Sequence, residues 1–523
     1  MSLAFVLLFI LFFLLSDRRV PIYDGGLPLS LALRVLHGEV PHRDFYYQYG
    51  PAQPFVFATL FRIFGVRLLP VTVVELLVRS AIVLAGFAVV RRVSSSLVAA
   101  CAAGMVGLLL LVPYPSAGID ALLFVVLFIH LSGESFLIAP SGGRAFAVGL
   151  LCGAAGMFRY EQGPMLLVLY GLLLLIGWWL RGDRMPFRAA ALALAGYLVL
   201  TLPLALYLAV HGALSALWYQ CFTFARLYYR AARELPFPGD FWHLRNTVLY
   251  APLVIPPLVL AYLGWLLWRE RGKLRSARAT LLFLLSTLAL FYALKGSIRV
   301  DFGQMLSGNL AVALLLGVFT GTAGPRLLRG LAAVAGVFVL LSLLLDLRTR
   351  IKGTWSAQEL VLQSVRHATP TADIDGWCAS RLPLTSSFCF STNRDHEQAV
   401  SYIAQRVSPG DRIYVGLAHH DTIYAGDNLT YFATNTLPAV KWSHFDPDLQ
   451  NRADVQREMI NDLERNRPRF AMETSQYEGN SEPNDSSKSS GVFLLDQYLQ
   501  GHYKAVAAYG PFTVLQLRSG QSQ

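Results

Sequence analysis

Runs of apolar residues near bilayer length dominate the first two thirds of the chain. A bilayer core takes about 20 helical residues. Runs approaching that length fall at 2–16, 71–90, 97–112, 119–138, 145–158, 164–180, 189–210, 247–268, 279–294, 305–322 and 327–346. They predict about eleven transmembrane helices, an odd number that places the two termini on opposite sides. The first run lacks a basic stretch before it and a small-residue cleavage site after it, so it reads as an uncleaved first span.

Between the first two runs lies a long loop, 17–70, with two shorter patterns. Leu27, Leu31 and Val35 line one helical face, with Arg34 and His37 off it. After Pro54, Phe57, Leu60, Phe61 and Phe64 recur at i, i+3, i+4 and i+7, with Arg62 off the stripe. Both segments are too short to span and predict amphipathic helices lying in the membrane interface.

Past residue 346 the period changes. Residues 411–417, 469–474 and 513–517 read as strands, and 453–465 as a helix that stops before Pro468. The chain therefore divides into a membrane part, 1–346, and a soluble α/β domain, 347–523. The fold class expected is an α-helical polytopic membrane protein with this α/β appendage. Residues 478–490 form a polar, Ser-rich stretch expected to be a mobile loop. Cys378 and Cys389 read equally as a disulfide and as two separate thiols.

Composition agrees with a membrane class. Of 523 residues, 54% are hydrophobic and 15% charged, against about 25% charged in soluble domains. The net charge of +11 is spread over loops rather than gathered in a block, which argues against nucleic acid as a partner. The short loops at Arg91-Arg92, Arg144, Arg181 to Arg188, Arg269 to Arg278 and Arg326 to Arg329 carry the densest positive charge. The positive-inside rule makes them cytoplasmic, and loop 17–70 and the C-terminal domain extracytoplasmic.

That orientation gathers the unusual polar residues on the outer side: Asp24, Arg43, Asp44, Tyr46 and Tyr47; Arg159, Tyr160 and Glu161; Lys295, Arg299 and Asp301. The stretch 211–246 adds Tyr219, Arg226, Tyr228, Tyr229 and Arg230. A carboxylate can take a proton from an attacking hydroxyl, guanidinium groups can grip a phosphate leaving group, and tyrosines can stack on a sugar. Each group also has a structural reading. Asp24 before Gly25-Gly26 is a turn residue, and Arg43 with Asp44, Arg159 with Glu161, and Arg299 with Asp301 are ion pairs. Glu75 and Arg79, at i and i+4 inside a span, read as a mutually neutralising pair. His419-His420-Asp421 reads as a solvated loop, because adjacent histidines point apart and no second ligand pair follows. No metal set is assigned. No cofactor is called for, although the carboxylates leave room for a divalent cation.

Several of these segments, in this order, resemble the GT-C membrane glycosyltransferases. The likeness is to the protein O-mannosyltransferase and aminoarabinose-transferase superfamily and its bacterial RgtA/B/C/D-like members. They are Tyr23-Asp24-Gly25-Gly26, Gly38 to Asp44 with Phe45, Tyr49-Gly50-Pro51, Phe61-Arg62-Ile63-Phe64-Gly65, Arg159-Tyr160-Glu161-Gln162-Gly163, and Arg299-Val300-Asp301 with Gln304. The resemblance covers the membrane part. It implies a multi-pass protein of the bacterial inner membrane that moves a sugar from a polyprenyl-phosphate carrier to a glycan, lipid or protein acceptor on the outer side, by an inverting single displacement. Asp24 matches the acidic residue of the first external loop and would be the base, with Asp44 as a second acid. Arg159 and Arg299 would contact the donor phosphate. Arg43, Tyr46, Tyr47, Glu161, Asp301 and Gln304 complete the candidate set. Two departures stand out: Gly25 follows Asp24 where many relatives carry Glu, and Gln304 stands where the later turn has His. The rival classes are a transporter or flippase for lipid-linked saccharides and a non-catalytic scaffold. A transporter calls for charge near the midplane and often for internal repeats. Here the charges gather at one end of the spans and no repeat is visible.

Overall fold

A computed structural model describes residues 2–15, 20–111, 116–134, 140–182, 186–321, 325–345, 390–391 and 394–518. The apolar runs form helices, since a backbone in lipid must satisfy its polar groups within the segment. These are α1 (Ser2–Leu15), α4 (Leu68–Arg91), α5 (Ser96–Leu109), α6 (Ala117–Ser132), α7 (Gly142–Phe158), α8 (Gln162–Arg181), α9 (Phe187–Val210), α10 (Thr247–Arg269), α11 (Ala277–Gly296), α12 (Phe302–Phe319) and α13 (Arg326–Leu345). The loop after α1 supplies α2 (Gly26–Leu36) and α3 (Ala52–Phe64). Side chains at the loop ends cap several N-termini: Ser95 accepts from the Val98 amide, Ser141 from Arg144, and Ser276 from Ala279.

Among the described residues, seven helices are long and apolar enough to cross a membrane: α4 and α8 to α13. The other segments expected to span, α1, α5, α6 and α7, are apolar helices of 14 to 17 residues. Length and composition thus support seven of the eleven expected spans directly, and the other four occur as shorter apolar helices.

The C-terminal part is a five-stranded mixed sheet in the order β4-β3-β5-β7-β6. Its strands are β3 (Arg412–Leu417), β4 (Leu437–Pro438), β5 (Phe470–Thr474), β6 (Tyr503–Tyr509) and β7 (Phe512–Leu517). β3 pairs in parallel with β4 and β5, and β7 runs antiparallel to β5 and β6. Helices α14 (Arg394–Ala404), α15 (Leu429–Thr434), α16 (Ala453–Asn466) and α17 (Leu494–His502) accompany it. The expected domain boundary near residue 346, and Cys378 and Cys389, lie outside the described residues. Two-residue strands β1 (Val20–Pro21) and β2 (Phe390–Ser391) pair in parallel and tie the first loop to the C-terminal part.

This docking overturns the interfacial reading of α2. The helix is apolar around most of its circumference, so it belongs inside the protein. Leu27 and Leu31 pack with Phe45 and Tyr47, while Leu29, Ala32 and Leu33 pack with Leu429 and Phe432 of α15. Arg34, expected to point away, is buried and fully engaged. It pairs with Glu39 and donates to the carbonyls of Val440 (2.9 Å) and Asp44 (2.7 Å). Glu39 also receives Arg412 of β3 at 2.6 Å. Removing one partner of such a buried charge costs about 3–5 kcal/mol, so these ions fix the first loop to the C-terminal domain. The histidine cluster divides: His419 is exposed, but His420 is buried, 2.8 Å from Asp496 and 2.7 Å from the Tyr414 hydroxyl.

Candidate active site

The ends of the helices on one side of the bundle surround a cavity of about 860 Å3, roofed by the C-terminal domain. The first loop supplies Tyr23, Asp24, Tyr47 and Tyr49. The α7–α8 turn supplies Arg159, α11 supplies Lys295, the α11–α12 turn supplies Arg299 and Asp301, and α12 supplies Gln304. The roof contributes His444, Tyr477 and Glu482.

Close backbone approaches set the first loop. Gly50 donates its amide to the Phe158 carbonyl at 3.0 Å, and a Cβ there would collide with the Met157 backbone. Gly26 packs so tightly on Leu429 that it admits no side chain. The Leu429 and Asn428 amides both donate to the Ile22 carbonyl, at 3.1 and 3.2 Å, which anchors the turn before Asp24. His42 is held at a φ of 69°. The Gln220 side-chain amide donates to the His42 carbonyl (2.9 Å), so its oxygen accepts from Nδ1–H at 2.9 Å and Nε2 accepts from Tyr160 at 3.0 Å. Burial holds this imidazole at about 4, hence neutral at pH 7. Gln220 belongs to the first of two π-helical turns, Tyr219–Thr223 and Ala225–Tyr229, a geometry frequent at functional sites.

Two groups of charge occupy the cavity. In the deeper one, Arg159 Nε lies 2.9 Å from Glu161, Lys295 pairs with the same carboxylate oxygen, and the guanidinium rests 4.2 Å above the Tyr49 ring centroid. Burial alone would raise Glu161, but Arg159 and Lys295 outweigh it and hold the carboxyl below its usual range. Two cations against one carboxylate leave a positive charge. In the outer group, Arg299 forms a two-pronged pair with Glu482 (2.6 Å for both bonds) and lies 3.2 Å from Asp301. Arg233 pairs with Asp446. Two cations against three carboxylates leave a negative charge. The 478–490 stretch, expected to be mobile, is seated here: Glu482 holds Arg299, and the Asn484 side chain donates to the Glu234 carbonyl at 3.1 Å.

Asp24 is accessible to solvent where it opens onto the cavity, with the rest of the chamber wall around it. That enclosure raises its carboxyl above the usual value; Arg233 opposes the rise, and Asp446 and Asp301 add to it. A carboxylate so placed is a stronger base than one in water. Asp44 lies apart. It pairs with Arg43 at 2.8 Å and accepts the Val40 amide at 2.7 Å, and neither it nor Arg43 lines the cavity. Burial alone would raise Asp44, but Arg43 and the Val40 amide outweigh it and hold it low. Tyr46 is buried and donates to Asp446 at 3.2 Å. Asp301 caps α12 through the Gln304 amide at 2.9 Å. Thus the cavity gathers Asp24, Arg159, Arg299, Asp301, Gln304 and Tyr47, with Glu161 directly behind Arg159.

Sequence reading assigned no role to Arg233, His444, Asp446 or Glu482, and left Lys295 without one. Arg233 and Asp446 stand 213 positions apart, beyond any local pattern. The available signal was His444-Phe445-Asp446-Pro447, a close His/Asp pair in a domain read as an appendage.

A second, almost wholly apolar groove of about 1060 Å3 runs between α1, α4, α5, α12 and α13. Leu15 and Leu111 line both it and the polar cavity, so the two are neighbours.

Fold and cavity together describe a polytopic membrane protein with a charged chamber at one end of its helices and an apolar groove beside it. No family model matches the chain, and no curated protein matches it by sequence. Among solved structures, ArnT from Cupriavidus metallidurans bound to undecaprenyl phosphate aligns with a TM-score of 0.55 and 14% identity, over 100% of this chain and 99% of that chain. ArnT in the apo state aligns at 0.54 and 14%, over 98% of each. The chain therefore has the fold of ArnT, a GT-C membrane glycosyltransferase.

Proposed function

We propose that the protein transfers a sugar from a polyprenyl-phosphate carrier to an acceptor hydroxyl, at the outer face of a bacterial inner membrane. The observation that carries this reading is the chamber itself. A carboxylate with raised affinity for protons, Asp24, lines one chamber with the positively charged Arg159–Lys295 pair, and an apolar groove adjoins that chamber at Leu15 and Leu111. Asp24 takes the proton of the acceptor hydroxyl as its oxygen attacks the anomeric carbon. The bond to the carrier phosphate breaks, and the departing phosphate gathers on Arg159 and Lys295, where the net charge is positive. The isoprenoid tail occupies the apolar groove. That ArnT was crystallised with undecaprenyl phosphate supports a carrier of this class. Arg299, expected at the phosphate, is engaged by Glu482 and serves the rim. Asp44 serves the loop by holding Val40 and Arg43.

The purified full-length protein, offered a panel of polyprenyl-phosphate sugars with saccharide, lipid and peptide acceptors, is expected to transfer one of them. Asp24→Asn is expected to lower the rate about 10²–10⁴-fold with the melting temperature unchanged. Turnover near wild type in Asp24→Asn would remove Asp24 as the base. No transfer from any donor, combined with movement of an intact lipid-linked sugar across proteoliposomes, would replace the transferase by a flippase.

A further inference from the structure

Asp446 is the most completely engaged carboxylate at the cavity, and it comes from the domain the sequence presents as an appendage. It is 1% exposed as a residue. Its oxygens meet Arg233, the Tyr46 hydroxyl at 3.2 Å and the Gln48 side-chain amide at 3.3 Å, and lie 3.3 Å from the Tyr23 hydroxyl, whose one hydrogen is shared with the Phe445 carbonyl at 2.7 Å. Its own amide donates to Gln450 at 2.9 Å, and the Gln450 side chain in turn donates to Trp442 at 3.1 Å, so the turn carrying Asp446 is itself fixed. One side chain from the C-terminal domain thereby fastens three residues of the first loop and one of the 211–246 stretch. Three of these, Tyr23, Gln48 and Arg233, line the chamber that Asp24 also lines.

The geometry points to Asp446 as a positioning residue for the candidate base: it holds Arg233 at the chamber wall and occupies that guanidinium, so that Arg233 steadies Asp24 without claiming its carboxylate. The inference rests on the transferase reading for its purpose, though not for its test. Arg233 has one strong carboxylate partner, Asp446, and the structure gives it no hydrogen bond to Asp24. An unpaired guanidinium in that enclosed space would turn to the nearest free carboxylate and hold it ionised. The charged and titratable groups that line the chamber with Asp24 are Arg233, Arg299, Arg159, Lys295, Asp301, Glu482 and His444, with the phenols of Tyr23, Tyr47, Tyr49, Tyr229, Tyr292, Tyr424 and Tyr477, and Asp446 stands behind Arg233. Arg299 is committed to Glu482 and Asp301, so Arg233 is the cation whose balance Asp446 sets.

Protonation of Asp24 can be read without turnover. The full-length protein in detergent is treated with a water-soluble carbodiimide and glycine ethyl ester over a pH series. Labelling at Asp24 is measured by mass spectrometry against exposed Asp240, and folding is checked by a melting curve. Asp446→Asn is expected to move the Asp24 midpoint down by about one pH unit, Arg233→Gln to move it up, and Asp446→Glu to leave it near wild type. A midpoint that stays or rises in Asp446→Asn overturns the inference. If Asp446→Asn does not fold, Arg233→Gln decides alone, and an unmoved midpoint there overturns it. Failure of the donor panel leaves these midpoints unaffected, so loss of the transferase reading and loss of this one appear in different experiments.

Discussion

Arg159 is the residue whose chemistry separates a phosphate site from a structural pair. It lies over Tyr49 and shares Glu161 with Lys295, so its pairing is real, yet that one carboxylate cannot satisfy both cations. Burial alone would lower the guanidinium, but Glu161, then Tyr49, outweigh it and keep it charged. Arg159→Lys keeps the charge and loses the planar fork, and hydrogen bonds to charged groups contribute about 1.5–3 kcal/mol. The donor Kd is expected to weaken about 10- to 100-fold, more than the acceptor KM changes. Unchanged donor affinity with a lowered melting point would leave Arg159 as a structural ion alone. Asp24 sets the pH profile. Only the ionised form accepts a proton, and enclosure raises the pH at which it ionises. kcat/KM is therefore expected to climb through a limb above the ordinary carboxylate range of about 4. A limb at or below that range would contradict the assignment.

At the level of elements, some parts were legible and others were not, for stated reasons. The strands expected at 411–417, 469–474 and 513–517 occur at Arg412–Leu417, Phe470–Thr474 and Phe512–Leu517, because each is a short β-rich run bounded by breakers. The shared end of Asp24, Arg159 and Arg299 was legible because charge in an apolar chain is rare, and helices alternate in direction. α2 was misread because its Leu27–Leu31 stripe is only half of its apolar surface; the other half meets α15, more than 390 positions on. The 478–490 stretch is a loop as expected, but its contact with Arg299 was not legible because serine content says nothing of one glutamate meeting a distant arginine. Its seating makes a prediction. Glu482→Gln removes the charge and one of the two bonds to Arg299, from a half-screened pair worth about 1 kcal/mol or less. Limited proteolysis within 478–490 should accelerate and the melting temperature should fall by about 1–4 °C, with undecaprenyl phosphate affinity within about twofold of wild type. A large change in that affinity would return Arg299 to the phosphate.

For the whole molecule, the bundle and the C-terminal domain form one chamber, so their placement about the membrane is a single question. The first loop pairs with the C-terminal part through β1 and β2, through Arg34, Glu39 and Arg412, and through Asp446. These contacts require loop 20–67 and residues 394–518 to share a side. The dense arginines at the opposite helix ends, including Arg91 and Arg92 before α5, are the basis on which we propose that this side faces away from the cytoplasm. Three single cysteines in a cysteine-free background test it. His37 and Ser489 are exposed on the chamber side, and Ser96 is exposed at the other end of the bundle. An impermeant maleimide applied to spheroplasts is expected to label His37→Cys and Ser489→Cys and to leave Ser96→Cys unlabelled until the membrane is opened. Labelling of Ser96→Cys alone would invert the protein and turn the chamber to the cytoplasm. There it would meet nucleotide-activated rather than lipid-carried sugars from the aqueous phase, and the donor panel would have to change with it.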